Sequence, residues 1–233
     1  MATTTSRASA QAAVAHLRSL GINFVALDFD RTILKVHTGG VWTETLKELQ
    51  KHVRPEMKQL MESILAKQSM HMAVVTFSGQ ITLVRGVLDS IVGESSSKNI
   101  PIRGADGSWL EPYPTRGWWP EDADLNYDEG KQPHMLSVIQ ELEKKEQAQI
   151  TKESTVLIDD DTYNIEVAQS NGVRGVILDP KDPSRLFEDI LSLSWQIYFK
   201  QIYLLLTIGA DDVLLGVSAG CLIAVQRLAL VTR

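Results

Sequence analysis

Short apolar runs alternate along the chain with stretches in which apolar residues recur at helical spacing. The runs predict buried strands, because four or five apolar residues in a row are typical of strands covered on both faces. Alternating strands and helices are typical of a parallel sheet with helices on both faces. We therefore predict an α/β fold with a Rossmann-like parallel sheet. Strands are predicted at 24–27, 72–75, 100–102, 156–158 and 173–178, and helices at 55–65, 79–92, 133–147 and 165–170.

Two segments do not follow this alternation. Residues 1–22 predict a leading helix, since apolar residues recur at helical spacing between Ser9 and Leu20. Because this segment has no long apolar core, we do not expect it to be a secretory signal, but its composition, rich in Ala, Ser and Thr, leaves an organelle transit peptide as an alternative. Residues 104–130 hold three tryptophans, three prolines and several acids, and predict a long irregular insert. The insert either covers a site as a flap or packs its tryptophans into the core.

Residues 196–233 follow a predicted domain of residues 1–195 and are strongly apolar. Asp211 and Asp212 divide this tail into two pieces, each shorter than the roughly 20 residues that a helix needs to cross a bilayer. Within a single span, the two aspartates would cost about 2.5–3.5 kcal/mol each. We expect a helical tail that is buried or packed on a partner, with membrane attachment as the alternative.

The composition and the net charge limit which classes of protein and which kinds of binding partner are compatible with the sequence. An apolar content of 44% with 22% charged residues is typical of a globular chain. A net charge of −6 and a pI of about 5.4 argue against a general nucleic-acid binder, which carries a basic surface. A single cysteine, Cys221, excludes an intrachain disulfide and a cysteine metal cluster. A cytoplasmic protein is the simplest interpretation, with membrane association through the tail as the alternative.

Two carboxylates and a threonine follow the first predicted strand. The strand at 24–27 leads into Asp28, Asp30 and Thr32. A buried parallel strand delivers the residues at its carboxyl end to a crevice. Two carboxylates held close together repel each other unless a cation or a shared proton intervenes. The pattern indicates a metal site, a proton transfer, or both.

Three further elements are flanked by polar residues of defined type. Thr76 follows the second strand, Lys131 precedes a helix, and the run 159–161 with Asn164 follows the fourth strand. Taken singly, each has an ordinary structural explanation as a cap, a turn or a solvated surface residue. Lys98 also lies near a strand and competes with Lys131 for a role in a site.

Taken together and in this order, these elements resemble the haloacid dehalogenase (HAD) superfamily of phosphohydrolases, from about residue 20 to about residue 195. The resemblance implies a first motif DxDxT, a Ser or Thr after a strand, a Lys before a helix, and an acid followed at four residues by Asp or Asn. Arg31 departs from the small or polar residue common at its position. The matched residues are Asp28, Asp30 and Thr32, then Thr76, then Lys131, then Asp160 and Asn164, with Asp159 preceding them.

The resemblance implies a role for each matched residue. Asp28 would attack phosphorus and form an aspartyl-phosphate, while Asp30 would protonate the leaving oxygen and then activate water. Thr76 and Lys131 would bind the phosphate, and Lys131 would also neutralise charge on the nucleophile. The dehalogenase branch lacks the second aspartate, so Asp30 favours phosphate chemistry.

The acids also form an oxygen-rich set of the kind that Mg²⁺ prefers. The resemblance implies metal contacts from Asp28, the backbone carbonyl of Asp30, and Asp160. Asp159 and Asn164 would bind through water or orient the direct ligands. Mg²⁺ is therefore the expected cofactor.

The short chain between the first and second motifs limits any cap over the site. A helix predicted across 41–68 leaves room for a small helical cap or none. The expected function is hydrolysis of a phosphate monoester, with a phosphorylated small molecule or a phosphoprotein as substrate. A phosphomutase and a catalytically idle or membrane-tethered HAD-like binding domain remain alternatives. A phosphoaspartate receiver domain is disfavoured, because its acidic pair precedes its phospho-acceptor.

Overall fold

The computed structural model describes residues 4–109 and 129–194. Five parallel strands form a single sheet in the order β3-β2-β1-β4-β5. The predicted fold class, an α/β fold with a Rossmann-like parallel sheet and helices on both faces, is confirmed. The strands are β1 (Phe24–Leu27), β2 (His71–Val75), β3 (Ile102–Arg103), β4 (Thr155–Asp159) and β5 (Arg174–Ile177).

Eight α-helices occur in the described part of the chain. They are α1 (Thr4–Ser19), α2 (Leu46–Gln50), α3 (Pro55–Leu65), α4 (Ile81–Val92), α5 (Glu94–Ser97), α6 (Gln132–Glu146), α7 (Thr162–Ser170) and α8 (Leu186–Ser192). None of the helices described is both long and apolar enough to cross a membrane. The predicted tail at 196–233 lies outside the described residues, as does most of the predicted insert at 104–130.

Helices cover the sheet on both sides, which explains the unbroken apolar runs. In β1, Val25 and Leu27 belong to a core that includes residues of α1, α3, α4 and α8. Phe24 and Ala26 face the other way, into a second core with α6 and α7. All four side chains are fully buried. A central strand buried on both faces carries no polar alternation, and this made β1 easy to predict.

Proline explains two of the differences between the predicted and the observed boundaries. The helix predicted across 41–68 is two helices, α2 and α3, because Pro55 lacks an N–H and keeps Arg54 extended at ψ 129°. Val41 lies in a loop and is 69% exposed. The strand predicted at 100–102 begins only at Ile102. Pro101 can accept a hydrogen bond from the Val74 N–H but cannot donate one to the ladder.

Candidate functional site

The three central strands carry the predicted site residues to one edge of the sheet. Leu27 of β1 is level with Val74 of β2 and with Ile158 of β4. The residues after these positions therefore converge at the carboxyl ends of the strands. They line a cavity of about 460 Å³, within the usual size range of small-molecule sites. The lining includes Asp28, Asp30, Arg31, Thr76, Lys131, Asp159, Asp160 and Asn164.

Asp28 and Lys131 form a buried ion pair at the floor of this cavity. The Lys131 Nζ donates to Asp28 Oδ1 at 2.8 Å and to the Val75 carbonyl at 3.2 Å. The ammonium group also lies 3.9 Å from the ring centroid of Phe77. Burial raises the pKa of Asp28, and the charge of Lys131 opposes that rise. The competing Lys98 lines a separate cavity beside β3, so Lys131 is the lysine of this site.

Three carboxylates surround one point in the cavity. Asp28, Asp159 and Asp160 each offer an oxygen, and these oxygens lie within 4.8 Å of one another. Burial, followed by the charge of Asp28, raises the pKa of Asp159 to about 7. Burial and Asp28 also raise the pKa of Asp160. Carboxylates crowded in this way are stabilised by a hard cation with oxygen ligands, so the donor set fits a divalent metal ion.

Asp159 takes a more central place than the sequence suggested. Its two oxygens accept hydrogen bonds from the Asp161 N–H at 2.9 Å and from Asn164 Nδ2 at 3.0 Å. These bonds fix the carboxylate within the trio of acids. Asn164 therefore acts on the site through Asp159, as an orienting group. Asp161 has a local role, because its side chain caps α7 by accepting the Tyr163 N–H.

The carboxylate of Asp30 stands apart from the trio. Its Oδ2 accepts a hydrogen bond from Thr38 Oγ1 at 2.8 Å, and His37 Nδ1 lies 3.4 Å from the same oxygen. Asp30 is not among the side chains that could share a metal ion. The two aspartates of the first motif thus occupy different surroundings, one beside Lys131 and one beside a hydroxyl.

A strained turn contains the second of these aspartates, Asp30. The turn Phe29–Ile33 contains Arg31 at φ 59°, a conformation that costs a residue other than glycine about 1–3 kcal/mol. Two hydrogen bonds hold Arg31 in this conformation. The Arg31 N–H donates to the Val36 carbonyl at 3.0 Å, and Arg54 Nε donates to the Arg31 carbonyl at 3.1 Å. Arg54 is buried, and sequence reasoning gave it no role at the site.

Thr32 and Thr76 are both buried, and each has a structural contact. Thr32 Oγ1 accepts the Asp160 N–H at 3.0 Å and donates to Asp160 Oδ1 at 3.3 Å, which joins the loops after β1 and β4. Thr76 Oγ1 accepts the Ser78 N–H at 3.1 Å. This leaves the hydroxyl proton of Thr76 to donate to a ligand in the cavity.

Several residues at the cavity were not found from the sequence. Thr38 and His37 follow the first motif on a glycine-containing loop, with no motif to single them out. Phe77 is 55% exposed although it is apolar, and its ring makes an edge contact with His134 at 5.4 Å. Trp109, one of the three tryptophans of the predicted insert, packs on the same histidine at 4.7 Å, while the other two, Trp118 and Trp119, lie outside the described residues.

Comparison with known proteins gives matches at the level of structure alone. No family model and no curated protein matches the sequence. Two solved structures of the HAD domain of the effector protein Lem4 from Legionella pneumophila, one of them an inactive mutant, are 14% and 15% identical to this chain. They cover 78% of this chain and 93% and 92% of their own, with TM-scores of 0.42 and 0.39.

The third similar structure has a lower score. A predicted HAD-like family hydrolase from Porphyromonas gingivalis is 10% identical over 78% of this chain and 98% of its own, with a TM-score of 0.32. The structural neighbours are HAD domains. All three TM-scores lie below 0.5.

Proposed function

We propose that this protein hydrolyses phosphate monoesters in a Mg²⁺-dependent reaction with a phosphoenzyme intermediate on Asp28. One observation carries the proposal, namely the different surroundings of the two aspartates in the first motif. Asp28 lies in a cluster with Lys131, Asp159 and Asp160, whereas the carboxylate of Asp30 is held apart by Thr38. A nucleophile that needs charge neutralisation and an acid–base group that needs a proton require such unequal surroundings.

The first step transfers the phosphoryl group to the protein. An oxygen of Asp28 bonds to phosphorus as the bond from phosphorus to the leaving oxygen breaks. Asp30 gives its proton to that oxygen, so the product leaves as an alcohol. Lys131 offsets negative charge on the nucleophile and on the phosphoryl group, and Thr76 donates to a phosphate oxygen.

The second step returns the protein to its starting state. Asp30, now ionised, takes a proton from a water molecule whose oxygen bonds to phosphorus. The bond from phosphorus to Asp28 then breaks, and inorganic phosphate is released. One aspartate thus serves as acid and then as base, while the other is the nucleophile in the first step and the leaving group in the second.

The acid trio supplies the metal ligands in this proposal. Asp28, Asp159 and Asp160 would hold Mg²⁺, with the backbone carbonyl of Asp30 as a further ligand and Asn164 orienting Asp159. When bound, the metal ion lowers the repulsion between the anionic nucleophile and the anionic phosphate. The substrate is a phosphorylated small molecule or a phosphoprotein.

An aryl phosphate assay tests the proposal. We expect hydrolysis of 4-nitrophenyl phosphate that requires Mg²⁺ and falls about a thousandfold or more in Asp28→Asn. Asp161→Asn is the matched control. It makes the same acid-to-amide change on the lining of the same cavity, at a residue that caps a helix.

Four outcomes would contradict the proposal. Activity that survives Asp28→Asn would exclude this nucleophile, and activity without a divalent metal would exclude the cofactor. Absence of activity on a broad panel of phosphate esters would favour a catalytically idle binding domain. Transfer of the phosphate to a second sugar hydroxyl instead of water would identify a phosphomutase.

A further inference from the structure

A threonine outside every motif makes a side-chain contact with the proposed acid–base group. Thr38 Oγ1 donates to Asp30 Oδ2 at 2.8 Å, and Thr38 is 6% exposed. We propose that Thr38 is a positioning residue that aims the acid–base carboxylate of Asp30 at the leaving oxygen. This inference rests on the phosphatase function proposed above and adds a residue to it.

The contact makes the two oxygens of Asp30 unequal. Oδ2 is occupied by the threonine hydroxyl, whereas Oδ1 is buried and has no hydrogen-bond partner in the described part of the chain. A buried carboxylate oxygen without a partner is costly unless a ligand supplies one. Asp30 lines the same cavity as the nucleophile Asp28, so a substrate bound there can supply that partner.

The hydroxyl is suited to both proton states of the carboxylate. A threonine O–H can donate to Oδ2 when Asp30 is protonated on Oδ1 and again when it is ionised. The bond is stronger to the ionised form, because hydrogen bonds to charged groups are stronger than neutral ones. Thr38 therefore keeps the carboxylate in one orientation while the proton leaves Oδ1 in the first step and returns from water in the second.

The neighbouring histidine does not replace this contact. His37 Nδ1 lies 3.4 Å from Asp30 Oδ2, but the same nitrogen accepts the Gly39 N–H at 2.8 Å. A nitrogen that accepts a hydrogen bond carries no proton, so it has none to donate to the carboxylate. The threonine is thus the side-chain donor that holds Asp30.

The loop that carries Thr38 is fixed at several points. Gly39 and Gly40 adopt φ values of 67° and 80°, which turn the chain directly after the threonine. Beyond the turn, the Trp42 N–H donates to Gln80 Oε1 at 2.6 Å, and Gln80 Nε2 donates back to the Trp42 carbonyl at 3.4 Å. This two-way contact joins the loop to the start of α4.

The test compares two leaving groups. The 4-nitrophenolate ion leaves readily without a proton, whereas ethoxide requires one, so a misaligned acid slows ethyl phosphate far more than 4-nitrophenyl phosphate. The quantity measured is kcat/KM, because it reports only the steps up to release of the alcohol. It is therefore insensitive to the later attack by water, in which Asp30 acts on both substrates alike.

The variants separate the hydroxyl from the volume of the side chain. Thr38→Val keeps the shape and removes the donor, and Thr38→Ser keeps the donor. We expect Thr38→Val to lower kcat/KM for ethyl phosphate about 10- to 100-fold and for 4-nitrophenyl phosphate by less than about threefold. Thr38→Ser should remain close to the parent on both substrates. Thr38→Ala repeats the test if the valine variant fails to fold, as judged by thermal unfolding.

Other results overturn the inference. An equal loss on both substrates would show that Thr38 supports the site as a whole and does not aim the acid. Unchanged kinetics in a folded Thr38→Val would show that the hydrogen bond has no role. If the parent protein hydrolyses neither ester with Mg²⁺, the proposed function itself fails, and that result is distinct from the two above.

Discussion

At the scale of single residues, burial decides which ionisable groups carry charge. Lys131 stays in a buried position because Asp28 and the Val75 carbonyl lie within hydrogen-bond distance. His134 is also buried, but its Nδ1 has no partner in the described residues. Burial, together with the positive charges of Lys131 and Arg103, lowers the pKa of His134 to about 3. One buried cation is therefore paired, whereas the nearby imidazole is kept neutral.

Because the imidazole of His134 is neutral in the folded chain, we expect it to make the protein less stable at acidic pH. The pKa of His134 is lower in the folded chain than the ordinary value of 6.5, so the unfolded chain binds the extra proton between these values. His134 therefore does not change the free energy of unfolding above about pH 6.5. As the pH falls from 6.5 toward 3, protonation of His134 in the unfolded chain lowers the free energy of unfolding by at most about 1.4 kcal/mol per pH unit.

The substitution His134→Phe tests this. We expect the parent to lose stability relative to the variant as the pH falls from 7 to 4, with parallel curves above pH 7. Urea unfolding of both proteins at several pH values measures the difference, and the contributions of other acids cancel in it. Parallel curves throughout the range would show that His134 titrates normally.

At the scale of elements, the sequence predicted the interior of each strand better than the connections that build the site. β1 and β4 were found because both of their faces are buried, which leaves apolar runs in the sequence. The pairing of Thr38 with Asp30 was not found, because it depends on a loop path that no periodicity records. The position of Asp159 within the acid trio depends in the same way on backbone geometry after β4.

The turn after β1 gives a prediction about backbone strain. Arg31 adopts φ 59°, where a glycine is not strained and an alanine is. Arg31→Gly and Arg31→Ala both remove the guanidinium group, so their difference isolates the backbone. We expect the glycine variant to be more stable than the alanine variant by about 1 kcal/mol. Denaturant midpoints measure this, and equal midpoints would show that the turn relaxes.

At the scale of the whole molecule, the acid trio of Asp28, Asp159 and Asp160 lowers the stability of the fold. Burial and Asp28 raise the pKa of Asp159 to about 7, above its ordinary value of 3.8. At Asp159 the folded chain therefore binds more protons than the unfolded chain between these values, so the contribution of Asp159 to the stability of the metal-free protein falls as the pH rises through that range. Above pH 7 the repulsion is present in full, and a bound cation would relieve it.

Mg²⁺ and the substitution Asp159→Asn should each stabilise the metal-free protein, but their effects should not add. At pH 8, Mg²⁺ at about 100 times its dissociation constant should stabilise the protein by about 2.7 kcal/mol and raise its melting temperature. Asp159→Asn should raise the melting temperature of the metal-free protein, because a buried charge is removed, and should reduce the shift caused by Mg²⁺. Scanning calorimetry with and without Mg²⁺ measures both effects. A lower metal-free melting temperature in the variant would contradict the repulsion.

The hydrogen bonds between Thr32 and Asp160 join residues 128 positions apart. Contacts this distant in sequence cost loop-closure entropy before they contribute any stability, and they slow folding. During synthesis, β1, which precedes Asp28, pairs with β4 only after residues 155–159 have left the ribosome. A nascent chain therefore carries Asp28 and Asp30 long before Asp159 and Asp160 can join them, and the proposed site forms only when nearly the entire sheet is complete.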